Sequence, residues 1–368
     1  MRAASDAELI ALIPQWREEA EGRSPSSFVR WCKRHGIKVG ASRAARVIGM
    51  AGGMVPVQHR EWEALGKDGQ VVKLHHTTYR IKADEMAALE EMASAAIKPA
   101  PPAEAHDAKG NLLVLSLPDQ HVGKLAWGKE TGNDYDIEIA VETYLTAVAK
   151  LLSSTAHYKP TKVLYIVGND LVHIDNSSNT TTAGTPQDVD SRWPKVVAAA
   201  FRMIAGTIET MAETADVDVV ITPGNHDTHT TYMIGFALAQ RYRDDARVKI
   251  INKPSYRQYY REGKLLFGIT HGDGVKEDKL PLIMATERPQ DWGATRWREW
   301  FLGHFHRRKT IQTVSVNDEL GVLITRLPSL TGIDSWHFKH GFGGLRHAEA
   351  RVYNPAEGVL VGTAVHVL

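Results

Sequence analysis

Residues 217–227, VDVVITPGNHD, decide how the chain reads. Val217, Val219, Val220 and Ile221 form a short, branched, apolar run of the kind that makes a strand buried on both faces. Pro223 and Gly224 stop it, and the next three positions offer an amide, an imidazole and a carboxylate in Asn225, His226 and Asp227. An α/β sheet gathers its ligand-holding groups just past the carboxyl ends of its strands, so a turn this rich in chemistry points to a site.

The arrangement recurs along the chain. Residues 112–117 lead into Pro118-Asp119-Gln120-His121, residues 163–167 into Gly168-Asn169-Asp170, and residues 265–270 into Thr270-His271-Gly272-Asp273. Gly303-His304-Phe305-His306 closes the series. Helical spacing over residues 136–153, 193–212 and 232–241 separates several of these strands, which predicts a layered α/β domain. Asn317-Asp318 and Asn354-Pro355, set between later strand-like runs, predict hairpins and antiparallel strands near the end.

Every one of the five clusters is built from carboxylate, imidazole and amide. Those donors suit borderline divalent ions such as manganese, iron, zinc or cobalt, and a pair of such ions needs about seven of them with one carboxylate shared. Asp119 and His121 stand two apart at a strand end and project to one side, so they can grip one ion together; His304 and His306 repeat the device. Asp170 can bridge two ions through its two oxygens. Asn225 offers a neutral carbonyl, and His226 beside it can point past the metals toward a leaving group.

Taken in order, these motifs resemble the calcineurin-like metallophosphoesterase superfamily over residues 114–306. The resemblance implies a two-sheet β-sandwich flanked by helices across residues 110–368, holding two metals about 3.5 to 4 Å apart. Matched motif by motif, Asp119, His121, Asp170 and His306 would hold one ion, and Asp170, Asn225, His271 and His304 the other. His226 would be the general acid, steadied by Asp227, in hydrolysis that needs no covalent intermediate. Manganese is the first expectation for both ions.

Two departures from the family pattern bear on substrate. An asparagine separates Gly168 from Asp170, so the shared carboxylate sits one residue late. The protein-phosphatase branch follows this aspartate with an acid and then Arg-Gly, whereas here the stretch is Leu171-Val172-His173-Ile174-Asp175. The phosphate-gripping arginine is missing, which argues against a phosphoprotein substrate. His173 becomes a candidate substrate contact, and Asp175 a candidate to orient a ligand histidine. The hydroxyl-rich loop 176–190 is expected to wall the site. Trp336, among aromatic and basic neighbours at 335–341, is a candidate for stacking on a base. Segments 170–190 and 326–345 look like a nuclease-like branch carried by phages and integrated elements.

The first hundred residues read differently. With 368 residues the chain is long for one core, so we expect a small, mainly helical domain over 1–98, a Pro/Ala linker at 99–109 and the α/β domain from 110. Helices are predicted over 6–21, over 24–36 and from Ser42 to about Ile48, with another at 84–96 and a strand or hairpin at 70–82. Net charge is only +1, yet residues 23–60 carry eight Lys or Arg and no acid. A loose helix-turn-helix reading makes Lys33, Arg34, Lys38, Arg43 and Arg46 candidate DNA contacts.

One cysteine, Cys32, rules out an internal disulfide and any cysteine metal cage; it reads as a small core residue. No long uncharged apolar window appears and no basic leader precedes residues 9–14, so a cytoplasmic location is expected. The leading expectation is a metal-dependent phosphoesterase acting on nucleic acid. The alternatives are a hydrolase of small nucleotides or phosphomonoesters and a non-catalytic DNA-binding or scaffolding protein. A homo-oligomer is not legible either way.

Overall fold

Pro14 divides the helix expected over residues 6–21 into α1 (Asp6–Ala11) and α2 (Ile13–Glu19). Proline has no N–H to give the Ile10 carbonyl, but at the second position of a new helix none is needed. Ser5 starts α1 with a reciprocal cap: its hydroxyl accepts from the Glu8 N–H, and the Glu8 carboxylate accepts from the Ser5 N–H. The computed structural model describes residues 2–19, 25–40, 43–44, 47, 55–65, 71–80, 100–101, 103–106, 110–304, 316–319, 321–339 and 345–368. The chain divides into two units, Met1–Ala87 and Ala88–Leu368.

In the first unit, α3 (Pro25–Arg34) packs Phe28, Trp31 and Cys32 against Leu9, Ile13 and Trp16. Strand β1 (Arg2–Ala3) pairs in parallel with β2 (Ile37–Lys38), which follows the left-handed Gly36. That strand lies between α3 and the helical residues 43–44, a longer path than the turn of a helix-turn-helix allows. Arg43, a candidate DNA contact, has partners of its own. Its guanidinium donates to the Asp6 carboxylate (2.7 Å) and the Ala4 carbonyl (2.6 Å), tying down the start of the chain. Lys33, Arg34 and Lys38 are exposed; Arg46 lies outside the described residues, as does the helix expected at 84–96. A hairpin of β3 (Val55–Leu65) and β4 (Val71–Arg80) follows, its first strand not foreseen from sequence.

In the second unit, neighbouring residues of one strand enter different cores. Strands β5 (Asn111–Ser116), β6 (Pro160–Gly168), β7 (Asp216–Thr222) and β8 (Val248–Ile251) run parallel. Leu113, Leu115, Val163, Tyr165 and Val219 face helices α5 (Ile137–Thr155), α6 (Trp193–Ala212) and α7 (Thr228–Arg241), while the short α4 (Gly128–Thr131) lies before them. Leu112, Val114, Leu164, Ile166 and Val220 face a second sheet. Burial on both sides is why these strands read as unbroken apolar runs instead of alternating ones.

The second sheet has the order β12-β13-β11-β10-β9, built from β9 (Arg257–Glu262), β10 (Leu265–Thr270), β11 (Trp297–Leu302), β12 (Val316–Glu319) and β13 (Val322–Arg326). Its inner face meets the first sheet through Leu265, Phe267, Ile269 and Phe301. The outer face packs Leu266, Trp300 and Leu302 on α8 (Leu280–Glu287), which α9 (Pro289–Ala294) follows. After α10 (Ser335–Lys339), strands β14 (His347–Asn354) and β15 (Val359–Val367) extend the first sheet antiparallel, giving β15-β14-β5-β6-β7-β8. The result is a two-sheet sandwich with helices on both outer faces. The expected turn at Asn317-Asp318 is corrected: both residues lie inside β12, whose last residue, Glu319, pairs with Val322 of β13, so the chain reverses after them.

A buried carboxylate joins the sheets. Glu299 on β11, fully buried, accepts from Thr325 (2.6 Å) and Trp297 (2.8 Å) of its own sheet and from Tyr353 (2.8 Å) and Arg351 (3.1 Å) of the other. The described part of the expected linker is fastened down as well. Ala100 N–H donates to the Arg241 carbonyl, and the His106 N–H donates to Asp216.

Candidate metal centre

The strand ends do not stop cleanly; they continue as tight, paired loops. Asp119 N–H donates to the Asn169 carbonyl (2.7 Å), His121 N–H to Asp170 (3.0 Å) and Asn169 N–H to Thr222 (2.7 Å), so the turns after β5, β6 and β7 are stitched together. Asp119, His121, Asn169, Asp170 and His304 all have positive φ, between 47° and 65°. Side-chain-bearing residues rarely take this conformation, and strain of this kind is held in place only where the surroundings over-determine it, as at ligand sites.

Two glycines make room for the cluster. Gly168 has φ 111°, and a Cβ there would lie 1.9 Å from the Thr222 carbonyl oxygen. A Cβ on Gly224 would lie 1.9 Å from Oδ1 of Asp170. Hence the glycine ahead of Asn225 is required by the carboxylate it touches. Gly224→Ala is expected to lower stability by ~1–3 kcal/mol through overpacking and to weaken metal uptake. Thermal melting with and without manganese checks this: an unchanged Tm shift on adding the ion would contradict it.

The side chains converge. His271 Nε2 has Asn225 Oδ1 at 2.8 Å, His304 Nδ1 at 3.1 Å and Asp170 Oδ2 at 3.2 Å. On the other side, His121 Nδ1 lies 3.2 Å from His173 Nδ1, and Asp119, His121 and Asp170 bring donor atoms within 4.8 Å of one another. A single ring N–H cannot satisfy three acceptors. Donors held about 2.0–2.1 Å from one ion at angles of 90–109° are separated by about 2.9–3.4 Å, so spacings of this size match the edges of a coordination shell. Asp119, His121, Asp170 and His271 are all nearly fully buried, and Nδ1 of His271 has no hydrogen-bond partner, so its ring is oriented from the Nε2 side alone. These residues fit a divalent pair, with Asp170 common to both groups. His306 lies outside the described residues.

Backbone groups aim the carboxylates. The His304 N–H donates to both oxygens of Asp119 (3.2 and 3.0 Å), and the His226 N–H to Oδ1 of Asp170 (2.8 Å). The Ser329 hydroxyl donates to the Asp119 carbonyl, a contact 210 positions apart that nothing in the sequence announced. Lys124, buried, ties the same loop to the Gly332 carbonyl (2.7 Å) and to Asp334 (3.0 Å).

Crowded charge shifts the protons. Burial pushes the Asp119 carboxyl up to about 7. Burial acts on Asp170 in the same direction, but the His271 imidazolium overrides it and holds that carboxyl at about 2. Burial works against a charged His271, yet Asp170 raises it to about 9. Without metal the cage therefore retains protons on Asp119 and His271 that a cation must displace. Metal affinity is expected to rise steeply as pH climbs through about 7 and toward 9, with protons released on binding. Calorimetry in two buffers of different ionisation enthalpy measures that release; equal apparent enthalpies in both would contradict it.

Several roles differ from expectation. Nδ1 of His226 lies 3.0 Å from the His173 carbonyl. A carbonyl only accepts, so Nδ1 carries hydrogen and Nε2 is left to exchange a proton. Asp227 does not steady His226: fully buried, it accepts from the N–H groups of Val172 (3.0 Å) and Gly224 (3.1 Å) and from the Thr231 hydroxyl (2.6 Å). It shapes the motif's backbone. Asp175 is likewise redirected, from a ligand histidine to the amino end of α7, where it accepts from the N–H groups of His229 and Thr230 and from the His229 ring.

His173, expected as a substrate contact, is buried against His121 and His226, its ring centroid 5.2 Å from each, while those two rings meet each other at 4.6 Å. Burial holds its imidazole well below the usual range, so it stays neutral. Loop 176–190 is pinned across itself by Thr180–Pro186 pairing, and Thr182 reaches both Asp175 and the Thr228 N–H, bracing the start of α7. The Trp336 side chain lies outside the described residues.

Among the described residues no helix is long and apolar enough to cross a membrane. No family model matches the sequence, and no curated protein does. Among solved structures, the chain is similar to Vps29 of Chaetomium thermophilum, with 12% identity over 70% of this chain and 97% of that one, at a TM-score of 0.27. It is also similar to a phosphatase of Mycoplasma pneumoniae, with 9% identity over 71% of this chain and 94% of that one, at a TM-score of 0.34.

Proposed function

We propose that this chain is a metal-dependent phosphoesterase of the calcineurin-like kind that cleaves phosphodiester bonds, with nucleic acid as the substrate. The observation that carries the reading is the donor set of Asp119, Asp170, Asn225, His271 and His304, whose 2.8–3.2 Å contacts around His271 fit a shared coordination shell. A bound pair of divalent cations, manganese first, would neutralise phosphoryl charge and make an attacking water acidic enough to act near neutral pH.

The remaining work falls to the chain. His304 and His226 fix the two carboxylates through their backbone N–H groups, so the charges that face the phosphate are already in place before substrate arrives. His226, anchored at Nδ1, presents Nε2 to the leaving oxygen and delivers its proton. His173 stays neutral and packs against both the His121 and His226 rings. With Leu171-Val172-His173-Ile174-Asp175 where the protein-phosphatase branch carries its arginine for a monoester dianion, the singly charged diester is the better match.

Assays with bis-p-nitrophenyl phosphate, p-nitrophenyl phosphate and end-labelled DNA, each with manganese and with a chelator, test this. Diester and DNA cleavage that stops with the chelator is expected. Turnover confined to the monoester would replace nucleic acid with a small phosphomonoester. DNA retention without hydrolysis under any divalent ion would leave a binding protein, in which the exposed Lys33, Arg34 and Lys38 would be the first residues to test.

A further inference from the structure

Where β7 ends, a second concavity adjoins the metal centre. It encloses about 370 Å³ and is walled by three elements: Ile221 and Pro223 at the tip of β7, Tyr232 and Met233 on α7, and Lys253 and Tyr256 on the crossing from β8 to β9. Pro223 and Thr228, both in its wall, are the residues on either side of Gly224-Asn225-His226-Asp227. Groove and metal centre thus share one stretch of backbone. The crossing is tied to α7 by the Asn252 amide, which donates to the Tyr232 carbonyl (3.0 Å).

The lining is unusual for a surface. Tyr256 is 64% exposed and Met233 58%, so large apolar side chains stand in water beside a polar motif. Apolar surface left open next to polar groups marks a place where something docks. The volume lies within the range of small-ligand pockets, and Lys253 brings positive charge to the lining.

We propose that this groove is a nucleobase subsite, in which the base of a phosphoester lies on the Tyr232 and Tyr256 rings while its phosphate reaches the metal centre. Phenol rings favour a flat π system over an alkyl chain, and stacking on them tolerates any base. Lys253 complements the phosphate backbone, and Ser255 and Asn252 give the rim polar atoms that an acyl chain would not use. The proposal rests on the phosphoesterase reading for the phosphate's position, but not for the base's.

The test is calorimetric titration of the full chain, with manganese and again with a chelator, using four probes: 2′-deoxyadenosine 5′-monophosphate, 2-deoxyribose 5-phosphate, n-hexyl phosphate and 2′-deoxyadenosine. The nucleotide should bind about tenfold or more tighter than the sugar phosphate, as one stacked base provides. Tyr256→Ala, at an exposed position, should remove most of that advantage and leave the sugar phosphate affinity and metal content unchanged. Equal affinities for nucleotide and sugar phosphate would overturn the subsite. Hexyl phosphate binding as tightly as the nucleotide, with the same loss in Tyr256→Ala, would overturn the choice of a base. If deoxyadenosine binds in a Tyr256-dependent way while no phosphate gains from manganese, the subsite stands and the phosphoesterase reading fails.

Discussion

Asp170→Asn should empty the metal centre while leaving the fold intact. The two side chains are nearly the same size, so the space beside Gly224 still accepts the residue. What changes is charge and donor count. Asp170 is nearly fully buried, its carboxyl held at about 2 and therefore anionic at any working pH, and it belongs to both donor groups. An amide offers one neutral oxygen where two anionic ones stood. Loss of an outer partner of a metal ligand lowers affinity or activity roughly 10- to 100-fold; loss of a ligand shared by two ions should reach at least ~10²-fold in activity. Metal content by mass spectrometry should fall from about two ions per chain to one or none, with melting in chelator close to that of the parent. Two tightly held ions in the variant would remove Asp170 from its shared position.

His226→Ala should do the reverse, keeping metals and losing rate. The His226 N–H that supports Asp170 is a backbone group and survives the substitution. Only the ring is lost. A general acid is worth about 10²–10⁴-fold, and most where the leaving group most needs a proton. Cleavage of an alkyl ester or ordinary DNA should fall by that order, whereas p-nitrophenyl esters, which leave readily as anions, should fall far less. Equal losses on both substrates would assign the ring a different task. The anchoring carbonyl adds a check: because His173 holds Nδ1 through its main chain, His173→Ala should keep the leaving-group dependence of the parent.

Much of the site was legible because four of its five motifs follow a strand with a plain apolar run; the strand ahead of His304, β11, carries Arg298 and Glu299 and does not show one. The strand at 265–270 and the helix at 193–212 lie where their patterns placed them. The roles of the supporting residues were not legible, since they depend on contacts between distant segments. Asp227 sits beside His226 in sequence, yet its carboxylate is consumed by Val172, Gly224 and Thr231. Asp175 sits near the ligands but caps α7 across 54 positions. Arg43 reads as part of a basic run, and only the folded chain reveals Asp6 as its partner. The split of α1 from α2 was visible in Pro14 and was outvoted by helical spacing on both sides. Strand β3 carries Pro56, Glu61 and Glu63, which mask its period.

The groove by β7 left no trace in any motif, because Tyr232 and Tyr256 are brought together by a crossing between sheets.

Anomalous diffraction from crystals of the full chain grown with manganese, recorded at the manganese edge, bears most directly on the twin-cation centre. Two peaks are expected, one beside Asp119 and His121, the other beside Asn225, His271 and His304, with Asp170 touching both. A map with no peak among these residues, or with manganese bound only elsewhere, would contradict the phosphoesterase reading at its root.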